Sequence, residues 1–238
     1  MKNRFLLASI VAFLFLFMSP TFAQIGIKGG FLVSDIAFQK YGQEPYLGYE
    51  IGFLDHRKPL YSFEVGAAAI FDLSKRFDFQ PELLYALQGL NYSTDYLYDN
   101  ITYKVNINYL KIPLLFRYKV CMKEKKRSGV YAGPYTSFNL KAVRVIELEG
   151  EKDKTDMSNV KDIDFGVVAG YSLDLDLPSG QMIVDLRFGY SLINTMTPID
   201  GNIPWYYGPS NEYVRNITIS LTAGYRFLNI WSKKAEKQ

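Results

Sequence analysis

Residues 216 to 227 alternate strictly. Ile217, Ile219, Leu221, Ala223, Tyr225 and Phe227 share one parity, and Asn216, Thr218, Ser220, Thr222, Gly224 and Arg226 share the other. Side chains of a strand repeat every two residues, so this segment predicts a strand with one apolar and one polar face. The pattern predicts seven more strands, at about 25–35, 61–73, 77–92, 105–119, 129–146, 162–177 and 181–194. In the first, Ile25, Ile27, Phe31 and Val33 oppose Lys28 and Ser34; in the second, Phe63, Val65, Ala67 and Phe71 oppose Ser62, Glu64 and Asp72. The third sets Phe77, Phe79, Leu83, Tyr85 and Leu87 against Asp78, Gln80, Glu82 and Gln88, and the fourth sets Leu110, Ile112, Leu114, Phe116 and Tyr118 against Asn108, Lys111 and Arg117. The sixth and seventh hold Asp164, Asp174, Asp185 and Arg187 on their polar faces. The fifth has the least regular phase, and Pro134 inside it predicts a bulge.

The connections between these segments predict a topology. Ser74 to Arg76 and Pro178 to Gly180 read as tight turns and Cys121 to Ser128 as a moderate basic one. Longer segments, at about 36–60, 93–104, 147–161 and 195–214, alternate with the short ones. Short periplasmic turns, long outer loops and an even strand count are the habit of outer-membrane barrels. An open sheet edge in lipid would leave backbone groups unsatisfied, so the sheet must close. The predicted fold is all-β, an eight-stranded antiparallel up-and-down transmembrane β-barrel; Gly48 to Leu54 reads either as a ninth element, with room for an extra hairpin within 37–60, or as the lower part of a longer second strand. Eight strands enclose a space that side chains fill. The inward set comprises Lys28, Glu64, Glu82, Lys111, Arg117, Asp174, Asp185, Arg187 and Arg226. Both signs are present, which predicts a packed polar lumen of mutually paired charges and no open pore.

Composition adds a destination. Lys2 and Arg4, the apolar run Phe5 to Met18 and the small-residue site Thr21-Phe22-Ala23 read as an export signal, too short to cross a bilayer as a helix. The expected organisation is a signal over 1–23, a barrel over 24–227 and a periplasmic tail over 228–238. Losing Lys2 and Arg4 takes the 27 basic residues to 25, against 24 acidic ones, and a nearly neutral chain argues against nucleic acid as a partner. The single cysteine, Cys121, can form no internal disulfide.

Little in the chain points to chemistry. His56, the only histidine, follows Asp55, but no neighbouring nucleophile motif accompanies it and a polar loop facing water accounts for it. With no cluster of histidines and cysteines, neither catalytic residues, nor a metal site, nor a cofactor is expected. Gly29-Gly30 lacks the rest of a phosphate-binding loop. The segment Pro204 to Pro209 carries Trp205, Tyr206 and Tyr207, followed by Tyr213. These rings are candidates for recognition of a ligand or protein, or for packing at the barrel mouth and the headgroup level.

Six segments, in chain order, resemble the PorT-like outer-membrane β-barrel family: Ile27 to Phe31, Phe79 to Tyr85, Asn108 to Leu115, Ala132 to Tyr135, Asp164 to Val167 and Gly224 to Phe227. The resemblance implies an eight-stranded barrel in a Gram-negative outer membrane, with Tyr225 and Phe227 as the closing-strand signal for the barrel-assembly machinery. The wider group includes a component associated with protein secretion across the outer membrane. This chain departs from the pattern in continuing from Leu228 to Gln238. The expected partners are outer-membrane lipid, the assembly machinery during insertion, and an extracellular ligand or envelope protein. The expected function is a non-enzymatic barrel whose outer loops adhere to or recognise something, the alternatives being an accessory subunit of an outer-membrane secretion system or a narrow pore.

Overall fold

The structure, a computed structural model, describes residues 23–39, 57–96, 99–123, 126–148, 151–197 and 213–227. Within these it has nine strands: β1 (Ala23–Gln39), β2 (Arg57–Asp72), β3 (Phe77–Tyr96), β4 (Asp99–Lys123), β5 (Lys126–Leu148), β6 (Glu151–Asp156), β7 (Ile163–Leu177), β8 (Gly180–Ser191) and β9 (Tyr213–Phe227). Eight of them follow the order β4-β3-β2-β1-β9-β8-β7-β5, and β5 pairs back to β4, closing an antiparallel barrel. The ninth, β6, pairs only with β5 and extends its far end. Closure runs through β1, where Lys28 stands opposite Gly66 on one side and Gly224 on the other.

The alternation becomes an inside and an outside. Phe31 is 79% exposed and Leu221 53%, whereas Arg117 is 1% exposed and Glu82 3%. This arrangement makes sense only if the surroundings are apolar, because a barrel in water would turn its aromatic residues inward. Phe31→Arg is therefore expected to destabilise the inserted barrel by about 2 kcal/mol, a cost set by depth in the bilayer. Urea unfolding in lipid vesicles measures it; an unchanged midpoint would mean that Phe31 faces water.

Several boundaries differ from the sequence expectation. The loop expected over 93–104 is strand, since β3 and β4 stay paired until Tyr96 stands opposite Asp99. Ile101, Thr102, Tyr103 and Val105 suit a strand, and pairing supplies partners for their backbone groups. The expected strict alternation of long and short connections fails here, because only 97–98 remain between the two strands. The connection expected at Cys121 to Ser128 likewise shrinks to 124–125, with Lys123 opposite Lys126. Part of the loop expected over 147–161 is β6. Pro134 makes no bulge: it stands in register opposite Val167, and its missing donor falls where the β4–β5 pairing lapses between Pro113 and Phe116 without changing register. Register shifts occur instead between Pro59 and Glu64 of β2 and, in the β4–β5 pairing, beside Asn108 and Lys119.

One inversion carries physical meaning. Along β4 the odd residues from Val105 to Lys119 point inward throughout. Among them Lys111, Arg117 and Lys119 are charged, but Val105, Ile107 and Tyr109 are not, and there the outward residues become Asn106 and Asn108. The backbone keeps its phase while the apolar residues change sides. Asn108, expected inward beside Lys111 and Arg117, faces outward, where the Tyr85 hydroxyl donates to its Oδ1 at 2.8 Å. Beyond the lipid the barrel wall meets water, so the hydrophobic effect reverses direction. The switch marks the membrane edge. Arg215 outside and Val214 inside show it again on β9.

Past that edge the lumen is apolar. Ile36, Leu90, Val105, Ile107, Tyr109, Ala142, Val160 and Val214 form one buried cluster, with Met157 and Met196 packed against it. Val160 and Met196 arrive on segments that cross the mouth and hydrogen-bond to each other: Lys161 N–H donates to Thr195 O at 2.9 Å and Thr197 N–H to Asn159 O at 2.8 Å. The lumen was expected to be polar throughout; its outer end is instead an apolar plug, because inward positions above the membrane are the only ones sheltered from water.

Candidate functional site

The lumen beneath the plug is the most highly organised polar region among the described residues. It buries six cations, Lys28, Lys111, Arg117, Lys119, Arg187 and Arg226, and six carboxylates, those of Glu64, Asp78, Glu82, Asp164, Asp174 and Asp185. The numbers of the two signs are equal, so these buried charges sum to zero when all are ionised.

The middle layer draws on β1, β2, β3, β8 and β9. Arg187 forks onto Glu82, Nη1 to Oε2 at 2.8 Å and Nη2 to Oε1 at 3.2 Å, and reaches Asp185 at 3.2 Å. Lys28 bridges Glu82, at 3.0 Å, and Asp185. Gln80 donates to Glu82 at 2.6 Å, and Ser220 to Glu64 at 2.7 Å. Planar two-point contact fixes direction as well as distance, which makes this layer stiff. A second layer lies toward the short turns. Arg117 forks onto Asp174, Lys119 lies 2.7 Å from both Asp78 and Asp72, and Arg226 donates to Gln181 at 2.8 Å. Nearer the plug, Lys111 stands over the Tyr135 ring at 4.2 Å, and Ser191 donates to Asp164 at 2.8 Å.

All nine inward charges predicted from the sequence occupy the lumen, together with Asp78, Lys119 and Asp164. Asp78 and Asp164 have inward parity in the sequence pattern, and Lys119 is two residues beyond Arg117 and so shares its face. At the closing strand, Tyr225 and Phe227 pack edge to face with centroids 5.2 Å apart, and the Tyr225 and Ser179 hydroxyls are 2.8 Å apart. Trp205, Tyr206 and Tyr207, His56, residues 48–54 and the 228–238 tail lie outside the described residues; Tyr213 opens β9, and its side chain is likewise not described.

The model of the outer membrane protein beta-barrel domain matches residues 18–197. The chain belongs to this family. Its place is accordingly the outer membrane, which agrees with the outward apolar band. No curated protein matches the chain. Among solved structures this family member is similar to Ail, the attachment invasion locus protein of Yersinia pestis, at 12% identity and TM-score 0.38, covering 87% of this chain and 100% of that one. It is similar to OprG from Pseudomonas aeruginosa at 13% identity and TM-score 0.40, covering 86% and 96%. A third is the outer membrane protease OmpT from Escherichia coli, at 11% identity and TM-score 0.44, covering 88% and 97%.

Proposed function

We propose that this barrel is a non-enzymatic surface platform, exported by the signal in residues 1–23, with its short turns in the periplasm. The parts beyond the membrane edge recognise an extracellular ligand or an envelope protein. Within the family it is read as PorT-like, on the order of its strand motifs. The observation that carries this reading is the filled lumen: a neutral ion-paired interior under an apolar plug. Conduction needs a wet path with sites weak enough to leave, and forked ion pairs in a low-dielectric core provide neither. With the interior committed to packing, the surfaces left for function are outside it, where β3 to β6 rise past the lipid edge.

Single-channel recording in planar bilayers tests this. The purified barrel should insert without a reproducible conductance step; a reproducible step would overturn the filled-lumen reading. Pull-down from envelopes after mild detergent extraction tests the role, since stoichiometric capture of secretion-machine subunits would replace surface recognition with the accessory role.

A further inference from the structure

On the outward face of the β3–β6 sheet lies a groove of about 760 Å³, lined by Asn106, Asn108, Lys141, Val143, Val145 and Lys154 among others. Its position is set by register. Asn108 stands opposite Lys141, Val143 opposite Asp156 and Val145 opposite Lys154, so the groove is a ladder of neighbouring outward residues. It begins where the lipid-facing surface ends. Leu140, 56% exposed, is the extra residue of the bulge beside Asn108, and Leu110 is the last apolar outward residue of β4. The bulge shifts the outward parity of β5, so that Lys141 rather than Ala142 follows Leu140 on the outside.

We infer that this groove seats the phosphorylated sugar head group of an outer-leaflet glycolipid, a reading that rests on the orientation proposed above. Lys141 lies 3.5 Å from Asp156, but the two side chains are 60% and 79% exposed, so the pair yields readily to a stronger anion. Lys154 adds a second exposed cation on the neighbouring strand. Asn108 accepts from Tyr85 through Oδ1, which leaves its amide nitrogen to donate into the groove. Cations for phosphate, amides for sugar hydroxyls and a valine floor continuous with the lipid band together match an anionic amphiphile. A protein partner would need several times this surface, whereas glycolipid surrounds the groove.

The test uses the full-length barrel in detergent micelles, with a bisphosphorylated glucosamine-disaccharide lipid as probe and bound lipid counted by native mass spectrometry. The double variant Lys141→Ala/Lys154→Ala should bind the probe about tenfold more weakly. The control Lys58→Ala/Lys161→Ala, which removes exposed lysines at the same end of the barrel but not among the groove's lining, should bind as the parent does. The dephosphorylated lipid should bind the parent poorly. Equal binding by the parent and the Lys141/Lys154 variant, or equal binding of both lipids, would overturn the proposal. So would displacement by millimolar inorganic phosphate, which would make this a free-phosphate site. A Lys154→Cys probe in a Cys121→Ser background keeps the two readings apart. Labelling from outside intact cells without lipid binding defeats the groove alone, whereas labelling only after permeabilisation defeats the orientation as well.

Discussion

Arg187→Met is expected to destabilise the barrel by about 3–5 kcal/mol, because it strips the counter-charge from carboxylates that stay buried. Glu82 would lose a two-point partner and Asp185 a contact at 3.2 Å, leaving Lys28 as their shared cation. The sign of the companion variant is the sharper test. Arg187→Met combined with Glu82→Gln removes one charge of each sign and should recover much of the loss. The readouts are urea unfolding in lipid vesicles and the temperature at which the fast-migrating unheated gel band disappears. An additive double variant, or a single variant as stable as the parent, would show that the layer is not energetically coupled. For contrast, Lys152→Ala breaks a pair with Glu147 whose two side chains are 55% and 32% exposed, and should cost under about 0.5 kcal/mol.

Gly89→Val is expected to cost about 3 kcal/mol or more and to lower the folded yield sharply. Gly89 has φ of +148°, a conformation that side chains resist, and a Cβ there would meet the Val105 carbonyl oxygen at 1.7 Å. The obstacle is backbone, which cannot move without breaking the β3–β4 ladder. This backbone conformation is held from β1, where the Ser34 hydroxyl accepts from Gly89 N–H at 3.0 Å and donates to Gly89 O at 3.1 Å. Ser34→Ala should accordingly show a smaller loss in the same direction, about 1–3 kcal/mol, as both backbone groups lose a buried partner. A normal folded yield for Gly89→Val would mean that this backbone conformation is dispensable.

The two predictions differ in how far they could be read from the chain. Arg187 and Glu82 announce themselves as polar residues at inward parity, but their pairing does not: they lie 105 residues apart on β8 and β3 and meet only across the closed lumen. Gly89 is one glycine among 18, and nothing near it marks a positive φ. Asn108 shares the parity of Leu110 and lies three residues from Lys111, so period two alone places it outward; its polarity suggests the lumen only under a rule, apolar outside, that holds only in lipid. The inversion at Val105 and Ile107 is present in the sequence, and it becomes interpretable once the wall is known to continue beyond the membrane.

Period two, one amphipathic face per strand and an even count of strands determined the barrel, because lipid admits only a closed sheet and each residue's parity assigns it to one side. Those features are local, so the chain states them directly. Tertiary structure alone decided which charges share a partner, where the lumen turns from ionic to apolar, and that β3, β4, β5 and β6 rise past the lipid to form an outward groove. These depend on register between strands distant in sequence and on where the solvent changes from hydrocarbon to water. Neither is encoded in any single segment.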